Sequence, residues 1–149
     1  MSEQIALIVR RKVRAPVERV FAAWTEPEQL KQWWGPTSVE CPEAAVDLRV
    51  GGAFRIANRF PDGQVVWISG EFELIEPPVK LIYTWRLGAP GAEAERVTVN
   101  FERDGASTMV VLIHTRIASP EARRRHEEGW HGCLDGLVEV LEARPGPAD

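Results

Sequence analysis

The stretch SPEARRRHEEGWHGCLDGLVEVLEARP, residues 119–145, decides the fold. Ser119 can accept hydrogen bonds from the first N–H groups of a helix, and Pro120 suits the first helical position. A helix is therefore predicted from here to about Ala143, with Pro145 and Pro147 ending it. At ~100° per residue, His126, Trp130, Cys133, Leu134, Leu137 and Leu141 share one face, while Glu128, Asp135 and Glu139 lie opposite. Gly129, Gly132 and Gly136 form a strip beside the apolar one. A helical glycine costs about 1 kcal/mol relative to alanine, so three of them need a reason. Either another backbone comes close, or the missing side chains leave room beside His126 and Trp130 for a ligand.

Upstream of this helix the apolar period falls to two. Thr108 to Ile117 reads as a strand, Asp104-Gly105 as a hairpin turn, and Val97, Val99 and Phe101 as one face of the preceding strand. Gly88-Ala89-Pro90-Gly91-Ala92 is a linker-like break, and Lys80 to Leu87 is another strand. Pro77-Pro78 ends the strand Gln64 to Ile75, because proline cannot donate to a ladder. Pro61-Asp62-Gly63 turns the chain from a strand at Ala53 to Phe60, which follows Gly51-Gly52 and a loop holding Cys41-Pro42. At the start, Ile5, Leu7, Val9 and Val13 alternate as a strand. Pro16 then opens a short helix with Val17, Val20, Phe21 and Trp24 on one stripe. Thr25 and Glu28 have the spacing of a capping box for a second short helix, which carries Leu30, Trp33 and Trp34 and stops at Gly35-Pro36. The predicted order is one strand, two short helices, six further strands and one long helix. Short turns imply an antiparallel sheet, and the fold class is α+β, with a curved sheet and the long helix on one face.

The 149 residues, 44% apolar and 27% charged with a net charge of -4, predict one domain over residues 1–149, with 145–149 as a disordered tail. Apolar runs such as Met109 to Ile113 fall far short of the ~20 residues of a membrane span, and no signal-peptide pattern opens the chain. Cys41 and Cys133 make no disulfide framework, and the acidic balance argues against nucleic acid as a partner. A reduced, cytoplasmic protein is expected. Six Trp and five Phe beside one Tyr are the skew to explain.

Several segments resemble a known family. In order they are Ala15-Pro16-Val17-Glu18-Arg19-Val20-Phe21, Trp24-Thr25-Glu26-Pro27-Glu28, Trp33-Trp34-Gly35-Pro36, and Asp47-Leu48-Arg49-Val50-Gly51-Gly52 with Phe54. Gly70, Glu76-Pro77-Pro78, Leu81, Tyr83-Thr84-Trp85, Leu112, His114 and Glu128-Gly129-Trp130 follow. Together they resemble the activator-of-heat-shock-protein-90-ATPase-homologue-like proteins, within the START and birch-pollen-allergen (SRPBCC) superfamily. The resemblance implies a helix-grip fold: a seven-stranded antiparallel sheet around a long C-terminal helix, two short helices closing one end, and a cavity between helix and sheet. The superfamily includes lipid carriers, hormone receptors and polyketide cyclases. The family takes its name from a eukaryotic co-chaperone of the stress response, whose chain also contains a separate chaperone-binding domain.

Catalytic signatures are sparse. His126 and His131 are five apart, not four as in the zinc signature H-E-x-x-H, so they point ~140° away from each other. Cys41 and Cys133 lack metal-ligand spacing, and no metal or cofactor is expected. His114 shares parity with Val110 and Leu112, so it reads as a buried, hydrogen-bonded histidine or as a polar anchor in an apolar pocket. Glu71 and Glu73 read as a solvated strand face, although Gly70 is a candidate bulge across which parity is not carried. Gly51-Gly52 is not a phosphate loop, and Arg10-Arg11-Lys12 and Arg123-Arg124-Arg125 read as solvated faces.

The expectation is a non-enzymatic protein that encloses a small apolar or aromatic molecule between the long helix and the sheet. Its candidate wall is Trp33, Trp34, Phe54, Ile56, Trp67, Phe72, Tyr83, Trp85, Val99, His114, His126 and Trp130, with Trp33 and Trp34 at the mouth and Trp24 as plain core. The rival readings are a cyclase-like enzyme using His114, His126 and Tyr83, and a co-chaperone or interaction module. A homodimer through strand edges or short helices is compatible with each.

Overall fold

Alternating sequence becomes one sheet. The computed structural model describes residues 5–35, 38–88 and 94–143, so most of the expected break at 88–92 and the expected tail at 145–149 lie outside the described residues. The strands are β1 (Ile5–Val13), β2 (Ala44–Val46), β3 (Ala53–Arg59), β4 (Val65–Glu76), β5 (Lys80–Leu87), β6 (Glu95–Asp104) and β7 (Ser107–Ile117). The helices are α1 (Val17–Thr25), α2 (Pro27–Trp33) and α3 (Pro120–Ala143). The seven strands pair antiparallel in the order β1-β7-β6-β5-β4-β3-β2. This is the helix-grip arrangement, with β2 the one strand that sequence signals do not place: three residues are too few to show a period.

Local chemistry explains most boundaries. Ser119 caps α3, accepting the Ala122 N–H on Oγ at 3.1 Å. The expected capping box at Thr25 does not form. Thr25 instead ends α1, its hydroxyl donating to the Phe21 carbonyl at 3.0 Å, and Glu26 takes the N-cap position before Pro27. Asp104 and Ser107 pair across a two-residue turn in which Gly105 has φ +63°.

Two bulges set which side chains face inward. In β4 the register shifts between Phe72 and Leu74, past Gly70, so Gly70 is not the bulge and parity does carry across it from Trp67. A second irregularity, between Ile5 and Leu7 of β1, places an extra residue on β7, where Arg116 takes φ +66°. His114 and Ile117, three apart, both point inward as a result and are 0% exposed.

The core lies between the sheet's concave face and one face of α3. Leu134, Leu137, Cys133, Trp130 and Leu141 are buried from the helix side, in one cluster with Leu7, Leu81, Val97, Val99, Phe101 and Leu112. Deleting a buried leucine costs about 2–5 kcal/mol, so the C-terminal half of α3 is the stronger clamp on the sheet. α2 presses on the same half. A Cβ at Gly136 would lie 2.4 Å from the Trp33 carbonyl oxygen, so glycine there is a packing requirement. Helix propensity alone would favour alanine at 136, yet Gly136→Ala is expected to destabilise the fold by about 1–3 kcal/mol through overpacking, read as a lower urea midpoint at unchanged m.

Candidate functional site

The N-terminal half of α3 meets the sheet through polar aromatic chemistry. His126 and Trp130 lie one turn apart on α3, above His114 of β7 and Glu95 at the start of β6. The Trp130 indole N–H donates to His114 Nδ1 at 3.0 Å. Indole is a donor only, so Nδ1 keeps its lone pair and the ring proton sits on Nε2, 2.6 Å from Glu95 Oε1. His114 is thus a neutral imidazole with both nitrogens engaged. Burial pushes its pKa below the ordinary 6.5 against the pull of Glu95. Burial alone would raise the Glu95 carboxyl, but the hydrogen bond from His114 and the adjacent His126 outweigh it and hold the group down at about 2.

His126 stacks on His114, with ring centroids 4.7 Å apart and planes inclined by 15°, and Trp85 lies steeply inclined to both rings with centroids 4.8 and 4.9 Å away. Its Nε2 lies 3.0 Å from Glu95 Oε1. Glu95, His114 and His126 bring ligand atoms within 4.8 Å of one another, a spacing that one metal ion could bridge. Coordination through His114 Nε2 would require its proton on Nδ1, where Trp130 already directs an N–H, so the hydrogen bonding disfavours a metal centre. It equally leaves His114 no free lone pair with which to act as a general base.

Beside this cluster, α3, the chain after α2, and β3, β4 and β5 enclose a cavity of about 340 Å³. Its walls are Trp34, Val39, Asn58, Val66, Ile68, Trp85, His126, Gly129, Trp130 and Cys133, with Phe60, Leu87 and Arg125 completing it. That volume falls within the ~300–1,000 Å³ of small-molecule sites. A Cβ at Gly129 would meet nothing within 4 Å, so this glycine opens space where Gly136 closes it. A second void of about 20 Å³ is lined by Trp24, Leu30, Trp34, Val46, Phe54, Ile56, Phe72, Tyr83 and Trp85.

The expected wall residues separate into groups. Trp34 and Trp85 face both spaces, His126 and Trp130 the larger, and Phe54, Ile56, Phe72 and Tyr83 the smaller. His114 and Val99, both 0% exposed, line neither. Trp33 also lines neither: it is 2% exposed, and its indole donates to the Ala23 carbonyl. Trp24, expected as plain core, lines the smaller void and donates to Tyr83 Oη at 3.2 Å. Trp67 points to the outer face, where the Arg55 guanidinium covers its ring at 4.2 Å, as carrying parity through Gly70 requires. The mouth is formed not by Trp33 and Trp34 but by Phe60 and Leu87, 39% and 47% exposed, with the exposed Arg125.

The sequence reading missed Glu95, although its parity with Val97, Val99 and Phe101 places it on the inward face of β6. His131, by contrast, is half exposed on the far side of α3, as the five-residue spacing requires. Glu73 pairs with Arg96 at 2.7 Å on the outer face, which keeps its carboxyl below the usual range.

The titrations of His114 and Glu95 have the same sign. His114 binds its proton less readily folded than unfolded, so its contribution is complete above about pH 6.5 and is lost as pH falls below that value. Glu95 adds a second loss as pH falls from 4.5 toward about 2. Urea midpoints should therefore decline as pH falls from 7 to 5.5, and His114→Phe should flatten that decline. In Trp130→Phe, NMR titration should show the His114 pKa raised, because Nδ1 no longer faces a fixed donor.

Comparison with protein families matches residues 14–142 to the Activator of Hsp90 ATPase homolog 1-like protein family, and the chain belongs to that family. Among solved structures, the AHSA1 protein of Silicibacter pomeroyi is similar at 26% identity and TM-score 0.84, over 93% of this chain and 99% of that one. A protein from Nitrosomonas europaea is similar at 28% identity and TM-score 0.79, over 93% and 95%. The solution structure of an AHSA1-like protein from Aeromonas hydrophila, at 23% identity and TM-score 0.80 over 93% of each chain, shares the fold. No curated protein matches the chain.

Proposed function

We propose that this member of the Activator of Hsp90 ATPase homolog 1-like family binds a small apolar or aromatic molecule in the cavity between α3 and the sheet. The observation that carries the reading is the cavity of about 340 Å³ itself, walled by Trp34, Trp85 and Trp130 and entered past the exposed Phe60 and Leu87. Phe60 and Leu87 are partly exposed and also line the cavity, so they rim its opening. The space is kept open by a glycine in the middle of a helix, at a position where alanine would fit and would be preferred by about 1 kcal/mol. Binding rather than turnover is favoured because His114, the most deeply buried ionisable group of the site, has both ring nitrogens committed to protein partners. A reducing, cytoplasmic setting belongs to the same proposal, since Cys41 and Cys133 are buried, unlinked thiols. Among the described residues no helix is long and apolar enough to cross a membrane.

Gly129→Leu tests the cavity without cutting a contact. The new side chain points into open space and leaves the Trp130–His114 hydrogen bond in place. Titration with N-phenyl-1-naphthylamine, a neutral apolar fluorophore, should saturate at one site in the native chain. Gly129→Leu should weaken that binding by at least tenfold, the effect of about 1.4 kcal/mol of lost burial, while its melting temperature holds or rises. Equal binding by the two proteins would sink the proposal.

A further inference from the structure

Among the described residues that line the larger cavity there is one arginine, Arg125 at the mouth, and no carboxylate. The polar side-chain atoms of the inner wall are already committed. The Trp34 and Trp130 indoles donate to Asn58 and His114, and the Asn58 amide donates to the carbonyls of Ile56 and Val66. Trp85 Nε1 and His126 Nε2 are buried in the protein, out of reach of anything in the cavity. The part of a ligand that lies inside therefore gains from apolar contact and finds no side chain there with which to pair a charge.

Arg125 differs from these groups in being accessible. It stands one turn before Gly129 on α3, on the same face, so its stem borders the space that the glycine opens while its guanidinium reaches water. Among the described residues its partner is Glu121, with Nη1 3.0 Å from Oε1, and both side chains are largely exposed. An exposed ion pair of this kind contributes little, so the guanidinium can exchange it for another carboxylate at small cost. Its planar fork of donors suits a carboxylate held by two parallel hydrogen bonds. The other carboxylate near this end, Glu95, is held behind the wall by His114 and His126 and does not compete.

Resting on the cavity reading above, we infer that the ligand is an amphiphile with one anionic end: an apolar or aromatic body inside the cavity and a carboxylate at the mouth, paired with Arg125. The apolar walls supply affinity, and the single cation at the rim decides which end of the ligand points out.

Three probes share one ring system and differ in charge: 2-naphthylacetate, 2-naphthylacetamide, which keeps the shape of the carboxylate without its charge, and 2-naphthylethylammonium. Calorimetry on the full chain at low salt should show the carboxylate binding about tenfold more tightly than the amide, with the ammonium weakest. In Arg125→Gln the carboxylate should fall to near the affinity of the amide, whose own binding is unchanged, and Arg125→Lys should keep part of the preference. Glu121→Gln removes the competing carboxylate and should tighten 2-naphthylacetate without moving the amide, an effect that generally sticky apolar binding would not give. Equal binding of carboxylate and amide, a preference that survives Arg125→Gln, or no tightening in Glu121→Gln would overturn the inference while leaving an apolar cavity intact. Failure of all three probes to bind would overturn the cavity reading together with it.

Discussion

A single buried hydrogen bond, from the Trp130 indole to His114 Nδ1, links the long helix to the sheet at the point where the apolar contacts thin out. Because an indole can only donate, this bond fixes the histidine tautomer, and the tautomer fixes the direction of the Nε2 proton toward Glu95. The chain from helix to β7 to β6 is therefore polar but fully satisfied through His114. A satisfied buried network specifies one geometry far better than apolar packing does. It holds the ring of Trp130 in the cavity wall and sets His126, one turn earlier, in a stack against His114.

That tie allows α3 to approach the rest of the protein unevenly. Around Leu134, Gly136 and Leu137 the helix is clamped, with the backbone of Trp33 almost touching position 136. Toward Gly129 it stands away from β3, β4 and β5, and the gap between these two regimes is the cavity. Trp24, Trp33, Trp34 and Trp130 form a continuous aromatic group where clamp and gap meet, with Trp24 and Trp130 stacked at 6.2 Å and Trp34 edge-on to Trp130 at 5.4 Å. The excess of tryptophan thus has two uses: rigid filling on the closed side and a flat apolar wall on the open side.

Much of this was legible in the sequence because it depends on period and on turn chemistry. The long helix and its Ser119 cap, the alternation of Val97, Val99 and Phe101, and the inward parity of His114 all follow from local spacing. The three-residue β2 was not, because pairing with β3 rather than any pattern of its own makes it a strand. The sorting of tryptophans was also hidden. Trp33 and Trp34 are adjacent and chemically identical in a string, and only the approach of α3 decides that one is core and the other faces both voids. Trp67 lay on the outer face because the bulge fell after Phe72, a place that no glycine marks. Glu95 carries no motif of its own, and only its register with the inward valines of β6 marks it as inward-facing.

Positions 129 and 136 are both glycine, on one helix and two turns apart, yet they obey opposite constraints. At 136 a side chain would have to displace the Trp33 backbone, so that site is bound to the architecture. At 129 a Cβ meets nothing within 4 Å, so a side chain there starts into the open cavity and would change its depth. Architecture and pocket size are therefore encoded at separate, weakly coupled positions of the same element. Descendants of this chain can drift in the dimensions of the interior space by point substitution at one residue, with the scaffold inherited unchanged.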